Sequence, residues 1–578
     1  MLKNNMSFRI EGEAGQGVES GGAGFATSLA RGGLHLFGMQ DYMSRIRGGY
    51  NFYQIRVAES PVYSHTDRVD LLMALLPGTI ERHVESIIPG GGIIYDQSYD
   101  VNAEALRSRS INAFPVPLFD IAEQAGNKIM ANTACFGAAA GVTGYPFEYM
   151  ASVIRDNFAR KGDKVVNANM EAARRAYDYA QERHSAGFDY RLEPLDAPQR
   201  MVISGNQAFC LGALLGGCRF ISAYPMTPST GIIEWMAAHS HTYDIVTKHT
   251  EDELAAILMA IGANFAGVRG MAATSGGGFS LMVEALGLAG MTETPLVIVE
   301  AQRPGPSTGM PTRTEQGDLL FMTFASQGEF PRVIIAPGTI EECFHAGWRA
   351  FNLADEYQCP VIVLSDNFLA NSVRTIERSQ FHFEDVIVDR GELLTREDLD
   401  ELEGEYKRYA LTASGISPRA LPGHPRAVFQ ACSDEHDEKG NFADEDPENR
   451  TKMVRKRLRK LDLARAEIRP PSLYGPEHAD LTLVGWGSTY GALRHTVDRL
   501  NQNGDRANLL HFTDLWPLPE DKVRACLEKA RRLVAVENNA TGQFARLLRA
   551  YTGVEADQQI SKFDGRPFSP EYILDRLE

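Results

Sequence analysis

Apolar and polar positions alternate along the first third of the chain in patterns that predict strands. Residues 51–58 (NFYQIRVA) alternate as a strand with one buried face does. Residues 69–77 (VDLLMALLP) and 90–96 (GGGIIYD) are continuous apolar runs of the length of buried strands. Residues 169–184 (NMEAARRAYDYAQERH) are a charged, strongly helical stretch. This mixture predicts an α/β domain over residues 1–190.

A regular alternation of strand and helix patterns follows over residues 201–375. The apolar runs that read as strands are residues 269–276, 295–302, 332–338 and 359–366. Buried apolar strands joined by helices imply a parallel sheet that is covered on both faces. Residues 476–578 return to the same alternation and predict a further α/β domain. The predicted fold class is therefore α/β, with several α/β domains.

Two stretches do not show this alternation of strand and helix patterns. Residues 185–200 are rich in turn formers and charge and are typical of a linker. Residues 376–475 contain an acidic run at 434–448 and a basic run at 452–467. Charge blocks of this kind are usually solvated faces or tails. We therefore expect residues 376–475 to form an extended, charged linker or arm without chemistry.

Composition and charge exclude several functional classes. A chain of 578 residues is too long for one core. Its net charge of −17 argues against a nucleic-acid partner, because binding to phosphate backbones needs clustered Lys and Arg. No segment has the apolar length of a membrane span, and the first residues lack the apolar core of a signal peptide. The seven cysteines include no C-x-x-C pair, so we expect reduced thiols, a cytoplasmic location and no iron–sulfur motif in this chain.

A glycine loop follows the first predicted strand. Gly12, Gly15 and Gly17 have the spacing G-x-x-G-x-G, which differs from the dinucleotide fingerprint G-x-G-x-x-G. Backbone N–H groups at a helix N-terminus suit an anion, and Arg45 and Arg47 could bring two cations to a phosphate. The alternative is a tight strand-to-helix turn without a ligand.

Glu253 opens a run of small and apolar residues. Thr250 and Glu253 have the spacing of a capping box, in which a threonine N-cap and a carboxylate satisfy each other's backbone donors. The neighbouring acids Glu251 and Asp252 suit the first turn of a helix. A purely structural helix start is the ordinary reading of this pattern.

Four motifs in order resemble one family, the 2-oxoacid:ferredoxin oxidoreductases. The segments GEAGQGV and SRIRGG look like the gamma domain of these enzymes, and SAYPMTPST looks like the alpha-subunit motif Y-P-I-T-P-S, with Met226 where isoleucine is usual. Residues 305–319 are similar to the 2-oxoglutarate branch, and residues 534–548 resemble a transketolase C-terminal domain. The likeness covers nearly the whole chain except the charged arm and implies a fused gamma–alpha subunit.

The resemblance implies the reaction of a 2-oxoacid, coenzyme A (CoA) and oxidised ferredoxin to acyl-CoA, carbon dioxide and reduced ferredoxin, through thiamine diphosphate. Low-potential ferredoxin could also drive the reverse, reductive carboxylation. The strings at 503–508 and 563–567 do not have the G-D-G…N form that holds the diphosphate through magnesium. Residues 201–375 therefore resemble the pyrimidine-binding domain alone. A beta subunit is expected to supply the diphosphate domain, Mg²⁺ and a [4Fe-4S] cluster, in an (alpha-beta)₂ heterotetramer.

The resemblance also assigns site residues. Glu253 is the matching position for the glutamate that hydrogen-bonds N1′ of the aminopyrimidine, and Thr227 is a donor to the substrate. Arg313 is expected to hold the substrate carboxylate, with Arg303 as the alternative. Tyr224, Pro225, Ser275 and Gly276 are expected to line the cofactor, and Gly15, Gln16, Gly17, Arg45 and Arg47 are expected to bind CoA.

Three hypotheses remain at the level of sequence. The first is a 2-oxoglutarate:ferredoxin oxidoreductase subunit. The second, within the same family, is a pyruvate or branched-chain 2-oxoacid enzyme. The third is of another class, a CoA- or nucleotide-binding ligase-type subunit without redox chemistry, in which the glycine loop holds phosphate. A neighbouring gene for a beta chain with G-D-G…N and C-x-x-C would separate the third hypothesis from the first two.

Overall fold

The computed structural model describes residues 2–44 and 48–577. Its strands, in chain order, are β1 (Leu2–Lys3), β2 (Met6–Ala14), β3 (His35–Asp41), β4 (Gly48–Ala58), β5 (Val69–Ala74), β6 (Ile87–Asp96), β7 (Asn112–Val116), β8 (Tyr190–Arg191), β9 (Met201–Ser204), β10 (Phe220–Ala223), β11 (Val246–His249), β12 (Gly270–Thr274), β13 (Leu296–Gln302), β14 (Val333–Ile335), β15 (Pro360–Asp366), β16 (Val373–Ile376), β17 (Ser472–Tyr474), β18 (Leu481–Trp486), β19 (Ala507–Phe512), β20 (Asp514–Trp516), β21 (Leu533–Glu537) and β22 (Gln558–Ser561).

The helices, in chain order, are α1 (Val18–Arg31), α2 (Gly78–His83), α3 (Ala103–Ser108), α4 (Leu118–Ala125), α5 (Ala131–Thr143), α6 (Phe147–Phe158), α7 (Asp163–His184), α8 (Gly205–Leu215), α9 (Thr230–Ala238), α10 (Ser240–Tyr243), α11 (Glu253–Phe265), α12 (Gly276–Met291), α13 (Leu319–Phe324), α14 (Ile340–Tyr357), α15 (Asn367–Asn371), α16 (Arg396–Asp400), α17 (Pro447–Glu467), α18 (Tyr490–Gln502), α19 (Glu520–Leu527), α20 (Gln543–Thr552) and α21 (Pro570–Leu574). Among the described residues, none of these helices combines the length and apolarity that a membrane span requires.

The first compact unit contains Met1–Ser204, Asn371–Gln380 and Ser569–Leu577. Its eight-stranded sheet has the order β7-β6-β5-β2-β4-β3-β16-β9. Strands β2, β5, β6 and β7 run parallel to one another. The pairs β2–β4, β4–β3, β3–β16 and β16–β9 are antiparallel. Strand β9 pairs with β16 in this sheet, and the second unit begins at Gly205.

Small residues explain how the helices of the first unit pack. Helix α5 is buried along almost its whole length, and its glycines lie against the backbone of α7. A Cβ atom added to Gly137 or Gly141 would overlap the carbonyl oxygen of Ala173 or Tyr177. Glycine at both positions therefore permits the close contact between these two helices.

The second unit contains Gly205–Ala370 and Phe381–Phe568. Its larger sheet has the order β11-β10-β12-β13-β15-β14-β20, in which every pair except β14–β20 is parallel. A five-stranded sheet, β17-β19-β18-β21-β22, is parallel except at β17–β19. One buried cluster joins residues of both sheets, among them Ile298, Ile362 and Trp486. These parallel sheets with their covering helices confirm the α/β fold class.

The segment 376–475 differs from the extended arm that its charge pattern predicted. Helix α17 lies within it, and Lys456, Arg457 and Lys460 are buried at 2%, 2% and 0% exposure. The side chains of Lys456 and Lys460 bond to the buried carboxylate of Glu293, and Arg457 bonds to Glu435. The expectation of a solvated arm was wrong because Glu293, outside the segment, and Glu435, within it, neutralise these cations inside the fold.

Candidate active site

Three parallel strands of the second unit end at the same edge of its larger sheet. Strands β12, β13 and β15 are neighbours, and the residues that directly follow them are Ser275, Arg303 and Asn367, the last of which begins α15. Ligands of open α/β sheets bind outside the carboxyl ends of the strands. The residues that the sequence singled out in this unit lie in or beside these loops.

The start of helix α11 differs from the capping box expected for it. Asp252 is the N-cap, because its Oδ1 accepts a hydrogen bond of 2.8 Å from the backbone N–H of Ala255. The N–H of Thr250 donates to the carbonyl of Ala223, so Thr250 still belongs to the strand side of the turn. Glu253 is the first residue of the helix and is not needed to cap it.

The side chain of Glu253 is buried without a full set of partners. The residue is 3% exposed, and its Oε1 has no hydrogen-bond partner among the described residues. Burial raises the pKa of this carboxyl above its usual range. A Cβ atom added to Gly278 would overlap both the Glu253 carboxylate and the hydroxyl of Thr274. Glycine at 278 therefore lets the Glu253 carboxyl, with its unsatisfied oxygen, lie directly against the start of α12.

The N-terminus of helix α12 lies against the side chain of Glu253. The helix begins with three glycines, Gly276–Gly278, and the first N–H groups of a helix have no partner within it. Ser275 occupies the N-cap position without a capping bond, and its buried Oγ has no partner in the described part of the chain. Unsatisfied polar groups of Glu253 and Ser275 beside a glycine-rich helix start suit a flat heterocycle with ring nitrogens.

The loop that contains Thr227 lies beside Arg303. The guanidinium of Arg303 donates a hydrogen bond of 2.8 Å to the carbonyl oxygen of Thr227. Ser229 does not cap α9 with its side chain, because its hydroxyl donates to the carbonyl of Met226. Tyr224 is 40% exposed and Pro225 is half-buried. The structure therefore brings Thr227 and Arg303 together at one site.

Arg313 is placed differently. It is half-buried in the loop between β13 and α13, and its Cβ lies close to Gly565, where an added Cβ atom would be 3.0 Å away. The hydroxyl of the next residue, Thr314, donates to Asp366 over 3.1 Å and accepts a bond of 3.2 Å from the backbone N–H of Phe368. These contacts fix the loop against the end of β15 and against the loop that contains Gly565.

Three acids at the same edge of the sheet, Glu300, Glu315 and Asp318, were not among the candidates from the sequence. Burial raises the pKa of Asp318 to about 6 and that of Glu315 to about 7, and it raises the pKa of Glu300 well above its usual range. Asp318 lies at the start of α12, because a Cβ atom on Gly276 would overlap its carboxylate. A glutamate within the apolar strand run at 295–302 was the signal that could have identified Glu300.

The glycine loop of the first unit lies between two cavities. Gly17 is the N-cap of α1 with φ 71°, and a Cβ atom there would overlap Asn132, so glycine is required. A cavity of 510 Å³ on one side is lined by residues that include Gly15, Gly17 and Tyr42. A cavity of 410 Å³ on the other side is lined by residues that include Gly15, Gln16 and Lys128. Arg45 and Arg47, the two cations expected here, lie outside the described residues.

Three family models match the chain. Residues 211–456 match the thiamine diphosphate-binding model of pyruvate flavodoxin/ferredoxin oxidoreductase. Residues 7–179 match the pyruvate ferredoxin/flavodoxin oxidoreductase model. Residues 479–573 match core domain II of pyruvate:ferredoxin oxidoreductase. The likeness of this last region to a transketolase C-terminal domain stays a prediction.

Curated relatives are similar along almost their whole length. The 2-oxoacid:ferredoxin oxidoreductase subunit alpha of Sulfolobus sp is 33% identical, over 99% of this chain and 96% of that protein. The 2-oxoglutarate oxidoreductase subunit KorA of Mycobacterium tuberculosis is 29% identical, over 98% of this chain and 90% of that protein. A solved structure of 2-oxoglutarate:ferredoxin oxidoreductase from Magnetococcus marinus, with 2-oxoglutarate, coenzyme A and succinyl-CoA bound, superposes with a TM-score of 0.91 at 33% identity, over 99% of both chains.

Proposed function

Because the chain belongs to the 2-oxoacid:ferredoxin oxidoreductase family as an alpha subunit, we propose that it acts on 2-oxoglutarate. The reaction is oxidation of 2-oxoglutarate with CoA to succinyl-CoA and carbon dioxide, with reduction of ferredoxin, or the reverse reductive carboxylation. Support for this substrate comes from the M. tuberculosis relative and the M. marinus structure, both of which are named for 2-oxoglutarate. In this proposal the first unit is a fused gamma domain.

The observation that carries the proposal is the unsatisfied, buried carboxyl of Glu253 beside Gly278. Thiamine diphosphate supplies a carbon nucleophile that adds to a 2-oxo group and accepts the electron pair left by carbon dioxide. Glu253 would hold a proton at N1′ of the aminopyrimidine, and its raised pKa suits a shared proton. Ser275, Gly276, Tyr224 and Pro225 are the proposed lining of the same ring.

The substrate is proposed to bind where Thr227 and Arg303 meet. The contact between these two residues supports Arg303 as a ligand of the substrate carboxylate, since a guanidinium that already holds one oxygen still has other N–H donors to offer. Arg313, the first choice from the sequence, is the second candidate in this proposal. The Thr227 hydroxyl is the proposed donor to the 2-oxo group or carboxylate.

CoA is proposed to bind at the glycine loop of the first unit. Two cavities lie beside Gly15, and Lys128 lines one of them as a cation for phosphate. Gly15, Gln16 and Gly17 would contribute backbone N–H groups at the start of α1. Arg45 and Arg47 are further proposed ligands of the CoA phosphates.

A separate beta subunit is proposed to complete the enzyme. It would supply the diphosphate-binding domain, Mg²⁺ and a [4Fe-4S] cluster, and it would pass electrons to ferredoxin within a cytoplasmic (alpha-beta)₂ heterotetramer. Helix α11, which starts with Glu253, exposes apolar side chains that a partner could cover.

The proposal is tested by purifying the chain with its beta partner and offering 2-oxoacids singly in a CoA-dependent dye-reduction assay. We expect 2-oxoglutarate to give the highest kcat/KM. A preference for pyruvate or branched-chain 2-oxoacids would keep the family and overturn the substrate. Binding of CoA without any reduction of dye by any 2-oxoacid would favour a ligase-type function.

A further inference from the structure

Three consecutive glycines open helix α12, and each has a different neighbour. A Cβ atom on Gly276 would overlap the carboxylate of Asp318. A Cβ atom on Gly277 would meet the carbonyl oxygen of Ser307 at 3.7 Å, which is ordinary van der Waals contact. Glycine inside a helix lowers the stability of that helix relative to alanine. Gly277 has room for a side chain in the described part of the chain, so it is a natural reference for Gly278, the next residue.

Gly278 lies against two buried side chains. A Cβ atom there would overlap the hydroxyl of Thr274 and the carboxylate of Glu253, and it would lie 2.8 Å from the carboxyl carbon of Glu253. Thr274 is 0% exposed and Glu253 is 3% exposed, so neither side chain extends into solvent. The Glu253 oxygen beside this position is Oε1, the same oxygen that has no hydrogen-bond partner among the described residues. The place of this free oxygen therefore depends on the missing side chain at 278.

Glu253 is the neighbour that would give way to a side chain at 278. Thr274 is the last residue of β12, where it pairs with Glu300 of β13, and its β-branched side chain is stiff. The backbone of Glu253 is also fixed, since Asp252 caps the helix that it begins. Its carboxyl, however, lies at the end of a longer side chain with several rotatable bonds. A methyl group at 278 would therefore turn the Glu253 carboxyl into another rotamer.

We propose that Gly278 is a positioning residue, because the absence of its side chain directs the Oε1 atom of Glu253 toward N1′ of the aminopyrimidine. The inference rests on the proposed function, in which Glu253 shares a proton with that ring nitrogen. A hydrogen bond weakens steeply when its donor, proton and acceptor are misaligned. In this role Gly278 acts through Glu253. Alanine at 278 keeps the carboxyl in the protein but aims it wrongly.

The first test is turnover of 2-oxoglutarate by the complex of this chain with its beta subunit. Gly278→Ala should lower kcat by about 10²-fold, the effect typical of a catalytic group that is displaced by about 1 Å. KM for 2-oxoglutarate should change little, because the proposed substrate ligands Thr227 and Arg303 lie on other loops. A loss of kcat without a change in KM is the expected signature of a misplaced proton-transfer group.

A double-mutant cycle shows whether Gly278 acts through Glu253. The Glu253→Gln enzyme has no proton to share, so the direction of its side chain no longer matters for proton transfer. Gly278→Ala should therefore lower kcat little further in that background, although it lowers kcat strongly in the wild-type background. A glycine that only stabilises the helix start would lower kcat by the same factor in both backgrounds.

Thermal unfolding of the full chain without cofactor provides a readout that does not depend on turnover. Gly278→Ala should lower the unfolding midpoint, because the methyl group overlaps the Glu253 carboxylate. The same change should lower it less in Glu253→Ala, where that carboxylate is absent. Gly277→Ala is the matched control and should keep or raise the midpoint, since alanine there has room and favours the helix. If Gly278→Ala alone does not fold, the double variant Gly278→Ala with Glu253→Ala should fold, because the space is freed.

Each outcome bears on one proposal. Equal losses of kcat in the wild-type and Glu253→Gln backgrounds would overturn the positioning role, and so would equal losses of the unfolding midpoint with and without the Glu253 carboxylate. Failure of the double variant to fold would assign the clash to Thr274 and would also overturn it. Wild-type turnover in Glu253→Gln alone would instead overturn the proposed catalytic role of Glu253, on which this inference depends.

Discussion

Glu253 occupies a position where a carboxyl contributes little to stability. The first turn of a helix accepts acids because they remain solvated and favour the dipole, yet this side chain is buried with one oxygen unsatisfied. Asp252 already caps the helix. An unsatisfied buried polar group costs about 1–3 kcal/mol. A cost of this kind at a residue with no capping role is typical of a functional group.

Glu253→Gln should lower turnover by about 10²–10⁴-fold, because glutamine cannot share a proton with the cofactor ring. Thermal unfolding of the chain should change little or shift to higher temperature, because the N-cap Asp252 is untouched. Steady-state turnover and the unfolding midpoint measure the two effects. Glu251→Gln is the matched control, since Glu251 is an exposed acid two residues away. Near wild-type turnover in Glu253→Gln would show that this carboxyl is structural.

Arginine-to-lysine changes separate the two candidate substrate ligands. Lysine keeps the charge but loses the planar fork, so the true carboxylate ligand should show a raised KM for the 2-oxoacid. The contact of Arg303 with Thr227 predicts that Arg303→Lys has the larger effect. Thiamine diphosphate binding serves as the control and should be unchanged in both variants. The assignment is reversed if Arg313→Lys alone raises KM.

At the scale of elements, apolar periodicity predicted the strands well. The runs at 69–77 and 295–302 form β5 (Val69–Ala74) and β13 (Leu296–Gln302). Continuous apolar runs of this length, bounded by turn formers, are typical of buried strands. The start of α11 was predicted wrongly. Thr250 and Asp252 can both cap a helix, and a sheet hydrogen bond from Thr250 to Ala223 decides between them. Such tertiary choices are invisible in local sequence.

The prediction for the charged segment 376–475 was wrong for the same reason. Its basic helix α17 pairs with Glu293, which lies 163 positions earlier than Lys456. In the candidate site, sequence motifs pointed to Glu253, Thr227 and Arg313, with Arg303 as the alternative to Arg313. The hydrogen bond from the backbone N–H of Asp318 to Gln302 joins a strand to a loop residue 16 positions later, which no local pattern encodes.

Removal of the Glu293 carboxylate should destabilise the second unit. Its oxygens bond to Lys456 at 2.6 Å and to Lys460, both fully inside the fold, and the lysines hold the pKa of Glu293 below its usual range. Glu293→Gln would leave buried ammonium groups without a counter-charge, at a cost of about 3–5 kcal/mol. Denaturant unfolding measures the loss.

Glu448→Gln provides the control for this destabilisation. Glu448 lies on the same helix as the two lysines, in an exposed pair with Lys452, and exposed pairs contribute at most about 1 kcal/mol. A loss in Glu293→Gln no larger than in this control would mean that the buried pair does not anchor α17.

At the scale of the whole molecule, an apolar face lies next to the candidate active site. Leu254, Leu258 and Met259 on α11 are 44%, 46% and 46% exposed, and Leu281 on the neighbouring α12 is 46% exposed. The chain as a whole carries a net charge of −17. A cluster of exposed apolar side chains on such a chain is typical of an interaction surface. The proposed beta subunit must reach Glu253 to complete the cofactor site, so this face is where we expect it to bind.

Leu258→Glu combined with Met259→Glu should therefore weaken association with the beta subunit without unfolding the chain. Both side chains point to solvent in the isolated chain, so its unfolding midpoint should stay close to the wild-type value. In the complex, two carboxylates would be buried against an apolar partner at a cost of several kcal/mol. Size-exclusion chromatography of the mixed subunits measures the loss of complex, and 2-oxoacid oxidation should fall with it and recover in part at high beta-subunit concentration. Leu473→Glu is the matched control, because Leu473 is an apolar residue of the same unit that is 46% exposed and lies on β17, in the other sheet of that unit. Normal assembly of the double variant would place the beta subunit on another surface.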